Sequence, residues 1–70
     1  MCVGIPVKVV QSGKWYCNCL DYSGNIIDVD ITLVGDVDVN EWLLISNGTA
    51  YRRICEREAM EILHVLSMLN

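Results

Sequence analysis

Long apolar runs and basic residues are both scarce in this sequence of 70 residues. No segment reaches the roughly 18 uninterrupted apolar residues that a membrane-spanning helix needs, so no membrane partner is expected. Lysine and arginine together number five against nine acidic residues, which gives a net charge of −4. Because an acidic surface repels phosphate backbones, no nucleic-acid partner is expected either.

Signals for export and for catalysis are also missing. The segment Met1–Pro6 has no basic residues ahead of an apolar run, unlike a signal peptide, which favours a cytoplasmic protein with reduced cysteines. The sequence has no linker, repeat, phosphate-binding loop or Ser–His–Asp order. A chain this short buries only about 60% of its unfolded surface, which leaves little room for an enclosed active site. We therefore predict one domain over residues 1–70 that is not an enzyme and is monomeric when free.

Apolar residues at a period of two predict several short strands. The predicted strands are 3–10, 15–22, 26–34, 41–46 and 49–54, with a short extended piece at 37–39. In the third strand Ile27, Val29, Ile31 and Leu33 are expected to face the core. Pro6 lacks an N–H and is expected on an edge or near a bulge. The dipeptide Asn47-Gly48 predicts a type I′ hairpin turn.

The pattern changes to a helical period near the end of the chain. Residues 56–69 place apolar side chains at three- and four-residue spacing, at Ala59, Ile62, Leu63 and Leu66. Strands followed by one helix predict a mainly β fold, a small OB-like barrel (1–54) with a C-terminal amphipathic helix (55–70).

The position of Cys2 makes it the first candidate for chemistry. Methionine aminopeptidases remove Met1 when the second residue is small, and Cys2 would then be the first residue of the mature chain. A neighbouring α-amino cation favours the thiolate, and a neutral amine can join the sulfur in binding a soft metal. The alternative interpretation is a small apolar residue at a chain end.

The remaining cysteines allow two interpretations. Cys17 and Cys19 form a C-x-C sequence whose side chains share one face of a strand, although the pattern does not say whether that face is core or solvent. One interpretation is a metal or redox pair joined by Cys55, and the favoured one is packing. Other polar residues are expected to be solvated: Asp28, Asp30, Arg52 and Arg53. His64 is expected to be a surface or packing residue of the helix.

The N-terminal sequence resembles a known family. Met1–Pro6 has the pattern Met-Cys-aliphatic-Gly-aliphatic-Pro, with which the HypC/HupF/HybG family of nickel–iron hydrogenase assembly chaperones begins. The segments Val29–Gly35 and Val37–Ile45 are similar to the family's central strand and its Tyr- or Trp-led strand. Gly48 and Ala50 fit its Gly-x-Ala step, and the acidic, Leu-patterned C-terminal helix is also similar.

The resemblance implies a function and a site. It implies a chaperone that docks with a HypD-type iron–sulfur protein and with the hydrogenase large-subunit precursor, helping to deliver an Fe(CN)2CO unit. Cys2 is implied as the partner contact and transient iron ligand, with Gly4 and Pro6 as supporting motif residues and no tightly bound cofactor. One departure is Ser46, which stands where many family members have a histidine. The alternative function is a small metal-binding or redox module that uses the C-x-C pair.

Overall fold

The computed structural model describes residues 4–68, which form five strands and one helix. The sheet closes into a barrel in the order β1-β2-β3-β5-β4. All neighbouring strands are antiparallel except β3 and β5. This arrangement confirms the predicted small OB-like barrel with a C-terminal helix. The elements are β1 Ile5–Gln11, β2 Tyr16–Leu20, β3 Ile26–Asp30, β4 Trp42–Ser46, β5 Thr49–Ile54 and α1 Glu56–Met68.

One hydrophobic core fills the barrel. Strand alternation turns every second side chain inward, and all the inward residues except Leu43 are small or β-branched, which suits a narrow barrel. The buried residues that form this cluster are Val7, Val9, Cys17, Cys19, Val29, Ile31, Val37, Leu43, Ile45 and Ala50.

Strand β3 is shorter than predicted. It ends at Asp30, whose carboxylate accepts hydrogen bonds from the backbone N–H of Thr32 (2.8 Å) and from its hydroxyl (2.7 Å). The N–H of Gly35 then donates to the carbonyl of Ile31 at 2.9 Å. These local bonds replace the strand ladder and turn the chain. Ile31 is still buried, but Leu33 is 71% exposed, so its predicted place in the core is wrong.

Strand β2 is also shorter than predicted. The carboxylate of Asp21 accepts hydrogen bonds from the N–H groups of Ser23 and Asn25, both at 2.9 Å, and this turn ends the strand at Leu20. Trp15 and Tyr22 therefore lie outside the strand and are exposed.

Arg53 holds the long connection between β3 and β4. Its guanidinium donates to the carbonyls of Val34 and Asp36 and forms an ion pair with Glu41 at 3.1 Å. Val37 in this connection is buried in the core, but the residue two positions later, Val39, is exposed, and no strand forms there. Arg53 is exposed, as expected, but its guanidinium also has this structural role.

The helix α1 packs against β1 through one side. Its only fully buried residue is Ala59, and Ile62, Leu63 and Leu66 are half-buried, as their spacing predicts. Arg52 of β5 forms an ion pair with Glu58 at 2.6 Å, so this arginine too is paired rather than only solvated. Both side chains are partly exposed, and such a pair contributes at most about 1 kcal/mol. The predicted helix end at residue 69 lies outside the described residues.

The turn between β4 and β5 has the predicted geometry. Asn47 and Gly48 have φ values of 53° and 78°, as a type I′ turn requires. The carbonyl of Gly48 also accepts the N–H of Asp30 at 2.9 Å, which joins β5 to β3. One turn therefore shapes a hairpin and takes part in closing the barrel.

Substitution Gly48→Ala is expected to lower the free energy of unfolding by about 1–2 kcal/mol, because a Cβ is unfavourable in the left-handed region. Urea unfolding followed by tryptophan fluorescence measures this change. The matched control is Asn47→Gly, which the turn should accept with little loss. Equal stability of Gly48→Ala and the unchanged protein would contradict this account of the turn.

Candidate functional site

The main candidate, Cys2, lies outside the described residues. The first described residue after it in the sequence is Gly4. Gly4 is buried, and a Cβ at this position would lie 3.0 Å from Cζ and 3.1 Å from Cε1 of Tyr51, with the Tyr51 hydroxyl closer still. The lack of a side chain at Gly4 lets the backbone lie this close to Tyr51, and a larger residue would require the Tyr51 side chain to move. Gly4 therefore fixes the chain against β5 immediately before β1 begins.

Pro6 is compatible with β1 because of where β2 ends. The backbone N–H of Val9 donates to the carbonyl of Glu41, so the N–H groups of odd-numbered β1 residues point towards β4. At even-numbered positions such as Pro6, the backbone N points to the opposite side, towards β2. On that side the pairing with β2 begins only at Lys8. The missing N–H of Pro6 therefore costs no ladder hydrogen bond, and its side chain is fully buried. β1 is not an edge strand of the barrel, but Pro6 is paired on one side only, with Leu44 of β4.

Cys17 and Cys19 both face the core. Their Sγ atoms lie 3.4 Å apart, and both side chains are buried. Burial raises the pKa of the Cys17 thiol, and burial together with the Cys17 sulfur raises the pKa of Cys19 to about 12. Because the thiolate is the nucleophile and the metal ligand, this environment disfavours both kinds of chemistry. The geometry resolves the open question of which face the pair occupies.

Cys55 lies apart from this pair, at the start of the helix. Its carbonyl accepts the N–H of Ala59 at 3.0 Å, and its Sγ accepts the N–H of Glu58 at 3.5 Å, so it stands at the N-cap position. The thiol is exposed, and the packing role expected for it is wrong. Within residues 4–68, no three His, Cys, Asp or Glu side chains come together where they could hold a metal ion.

Two further polar residues from the sequence analysis are placed by the structure. Ser46, at the family's histidine position, is the last residue of β4, is half-buried and pairs with Thr49 across the hairpin. His64 is exposed on α1, where its carbonyl accepts the Ser67 hydroxyl at 2.8 Å.

An open groove of about 380 Å³ lies where β1, β4, β5 and α1 meet. Trp42 is one of its lining residues, and the ammonium of Lys8 lies 6.0 Å from the centroid of a Trp42 ring. Sequence reasoning missed this groove because its residues come from four separate elements. The Tyr- or Trp-led start of β4 was the one available signal. The lining residues are Lys8, Asn40, Glu41, Trp42, Ile54 and Glu56.

Comparison with known proteins identifies the family of the chain. The sequence profile of the HupF/HypC family matches residues 1–66. The chain belongs to the HupF/HypC family. It is 38% identical over 70 residues to a hydrogenase expression/formation protein, HoxL, of Cupriavidus necator. That alignment covers all of the chain but 64% of HoxL, so the chain spans less than two thirds of this relative.

A second relative carries a name without a stated activity. The Frd operon uncharacterized protein C of Proteus vulgaris is 38% identical over 76 aligned residues, with all of this chain and 79% of the relative covered. Within the described part of the chain, no helix has both the length and the apolar character needed to cross a membrane.

The three cysteines within residues 4–68 are expected to differ in reactivity. With iodoacetamide at pH 8, Cys55 should be alkylated, whereas Cys17 and Cys19 should stay unmodified because they are buried and protonated. Peptide mass spectrometry measures the extent at each position. The internal control is the same reaction in urea, where all cysteines should react. Alkylation of Cys19 in the folded protein at the rate of Cys55 would refute the assignment of the pair to the core.

Proposed function

We propose that this protein is a hydrogenase maturation chaperone and not an enzyme. The observation that carries this proposal is the family match over residues 1–66, and the name of the HoxL relative supports it. The small barrel is compatible with the proposal, because its interior is filled by side chains and the groove beside Trp42 is open. Such a molecule acts through its surface and its chain end.

We propose Cys2 as the residue that contacts the partners and transiently holds iron. Two features of the described residues support this choice. Gly4 and Pro6, two and four residues after the cysteine in the sequence, are both buried and anchor the chain there. The thiols of Cys17 and Cys19 lie in the core and have raised pKa values, which makes them poor metal ligands and nucleophiles.

The chemistry of the proposed cargo suits a single thiolate. A sulfur ligand is a soft donor, and iron that carries cyanide and carbon monoxide is a soft centre. A site with one protein ligand also releases a metal more easily than a closed four-ligand site does. The proposed cargo is therefore an Fe(CN)2CO unit that is carried transiently, with no tightly bound cofactor.

The proposed partners are a HypD-type iron–sulfur protein and the hydrogenase large-subunit precursor, with the cytoplasm as the place of action. Ser46 differs from the histidine found at this position in many family members, so a second imidazole ligand is missing there. The ligand that a histidine would add at position 46 would therefore be a second one beside the Cys2 sulfur. In this proposal Cys2 alone supplies the protein ligand, and Ser46 takes no part in holding iron.

Substitution Cys2→Ala is expected to abolish stable complex formation with the HypD-type protein or with the large-subunit precursor, because it removes the only proposed sulfur contact. Co-purification of each pair from cells that produce both proteins measures the effect. The matched control is Cys55→Ala, which removes an exposed thiol elsewhere and should leave both complexes intact. Complexes of unchanged yield with Cys2→Ala would rule out the proposed role of this residue.

A further inference from the structure

Exposed hydrophobic side chains are concentrated on one hairpin. The segment from residue 15 to residue 26 holds five of them, with exposed fractions between 38% and 61%. Three of these five are aromatic, although the whole chain has only two tryptophans and three tyrosines. Tyrosine and tryptophan are enriched in protein interfaces, so this concentration indicates a contact surface. The five residues are Trp15, Tyr16, Leu20, Tyr22 and Ile26.

The outer side of β2 and β3 arranges part of this set in three cross-strand rows. Leu20 pairs with Ile26, Asn18 with Asp28 and Tyr16 with Asp30. We call the outer surface formed by these six residues the hairpin face. It combines an apolar row at one end, a polar row in the middle and a tyrosine beside a carboxylate at the other end.

All formal charge on the hairpin face is negative. Residues 15–30 contain three aspartates and no lysine or arginine. Asp28 accepts a hydrogen bond from Asn18 at 2.6 Å, and the Thr32 bonds hold the pKa of the Asp30 carboxyl below its ordinary value. The arginines Arg52 and Arg53 are engaged with glutamates elsewhere. The two aspartates on the face therefore lack a cationic partner among the contacts of the described residues.

We infer that the hairpin face docks a protein partner that presents lysine or arginine side chains around an apolar contact. Charge complementarity argues for this occupant, because cations pair with the aspartates and also bind the faces of exposed aromatic rings. A second copy of the chain would bring further aspartates to the interface. The lysines that border the face, Lys8 and Lys14, lie over the rings of Trp42 and Trp15, at 6.0 Å and 5.3 Å from the ring centroids. An anionic membrane or a nucleic acid would meet the same negative charge.

The hairpin face does not include Cys2, so it would be a second partner contact of the chaperone. The inference rests on the proposed function only for the choice of partner proteins in the test. Those proteins are the HypD-type protein and the large-subunit precursor.

The test removes charge from the hairpin face while keeping its shape. The double substitution Asp28→Asn and Asp30→Asn retains the oxygens that accept from Asn18 and Thr32. We expect the Kd for the docked partner to rise roughly 3- to 30-fold at low salt, since two exposed ion pairs are lost. The dependence of Kd on salt concentration should become shallower.

A matched control removes the same charge from another surface. Asp36 and Asp38 lie in the connection between β3 and β4, and the contacts found for them use only backbone atoms. Asp36→Asn with Asp38→Asn should change Kd by less than about twofold, because these charges lie off the hairpin face. Equal effects of the two double variants would overturn the inference, since only net charge would then matter.

An apolar pair of variants tests the other half of the proposed contact. Ile26→Ser removes an exposed side chain from the hairpin face, and Leu33→Ser removes one that is more exposed but lies elsewhere. Ile26→Ser should weaken binding at least fivefold more than Leu33→Ser, with both variants checked for an unchanged Tm. Unchanged binding by Ile26→Ser would contradict the proposed docking.

Failure of the proposed function can be told apart from failure of this inference. If the unchanged protein binds neither partner, the proposed function fails, and photo-cross-linking in the native host then decides the docking surface. A photoreactive residue at position 16 should capture a segment rich in lysine or arginine, and Asp28→Asn with Asp30→Asn should reduce the yield of that cross-link. No cross-link above that from position 33, or a cross-link to an acidic segment, would overturn the inference.

Discussion

Closure of the barrel between β3 and β5 is the constraint on which the other features depend. The two strands meet in one short parallel contact, where the N–H of Asp30 donates to the carbonyl of Gly48 at 2.9 Å. A chain of 70 residues can bury only one small core, and a closed sheet leaves no long edge exposed around it. Asp30 also ends β3 through its carboxylate, so the same residue joins the strands and turns the chain away.

Closure of the barrel places Cys17 and Cys19 in its interior. A barrel made from short strands has an interior narrow enough to be filled by valines and by the thiols of Cys17 and Cys19. Their burial keeps these thiols protonated and leaves the exterior and the chain ends for contacts with other molecules. Gly4 lies against the hydroxyl end of the Tyr51 side chain, which brings the residue before β1 close to β5 of the same closed sheet.

Local patterns predicted the elements that depend on local bonds. The β5 bounds, the helix start at Glu56 and the Asn47–Gly48 turn follow from alternation, helical period and φ preference. The end of β3 was missed because alternation continues through Leu33 while the Asp30–Thr32 bonds turn the chain. The role of Arg53 depends on carbonyls 17 and 19 residues away, which no local pattern reveals. The face of Cys17 and Cys19 stayed open in the sequence because Trp15 shares their alternation but lies beyond the strand, where it is exposed.

The central claim is that Cys2 holds the iron cargo while the other thiols do not. Infrared spectroscopy of the chain, purified from cells that produce the HypD-type partner and its supply of cyanide and carbon monoxide, tests this claim most directly. The account predicts stretching bands of iron-bound cyanide and carbon monoxide on the unchanged protein and on Cys55→Ala, and their loss from Cys2→Ala. Bands of equal intensity on Cys2→Ala, or their loss from Cys55→Ala alone, would contradict it.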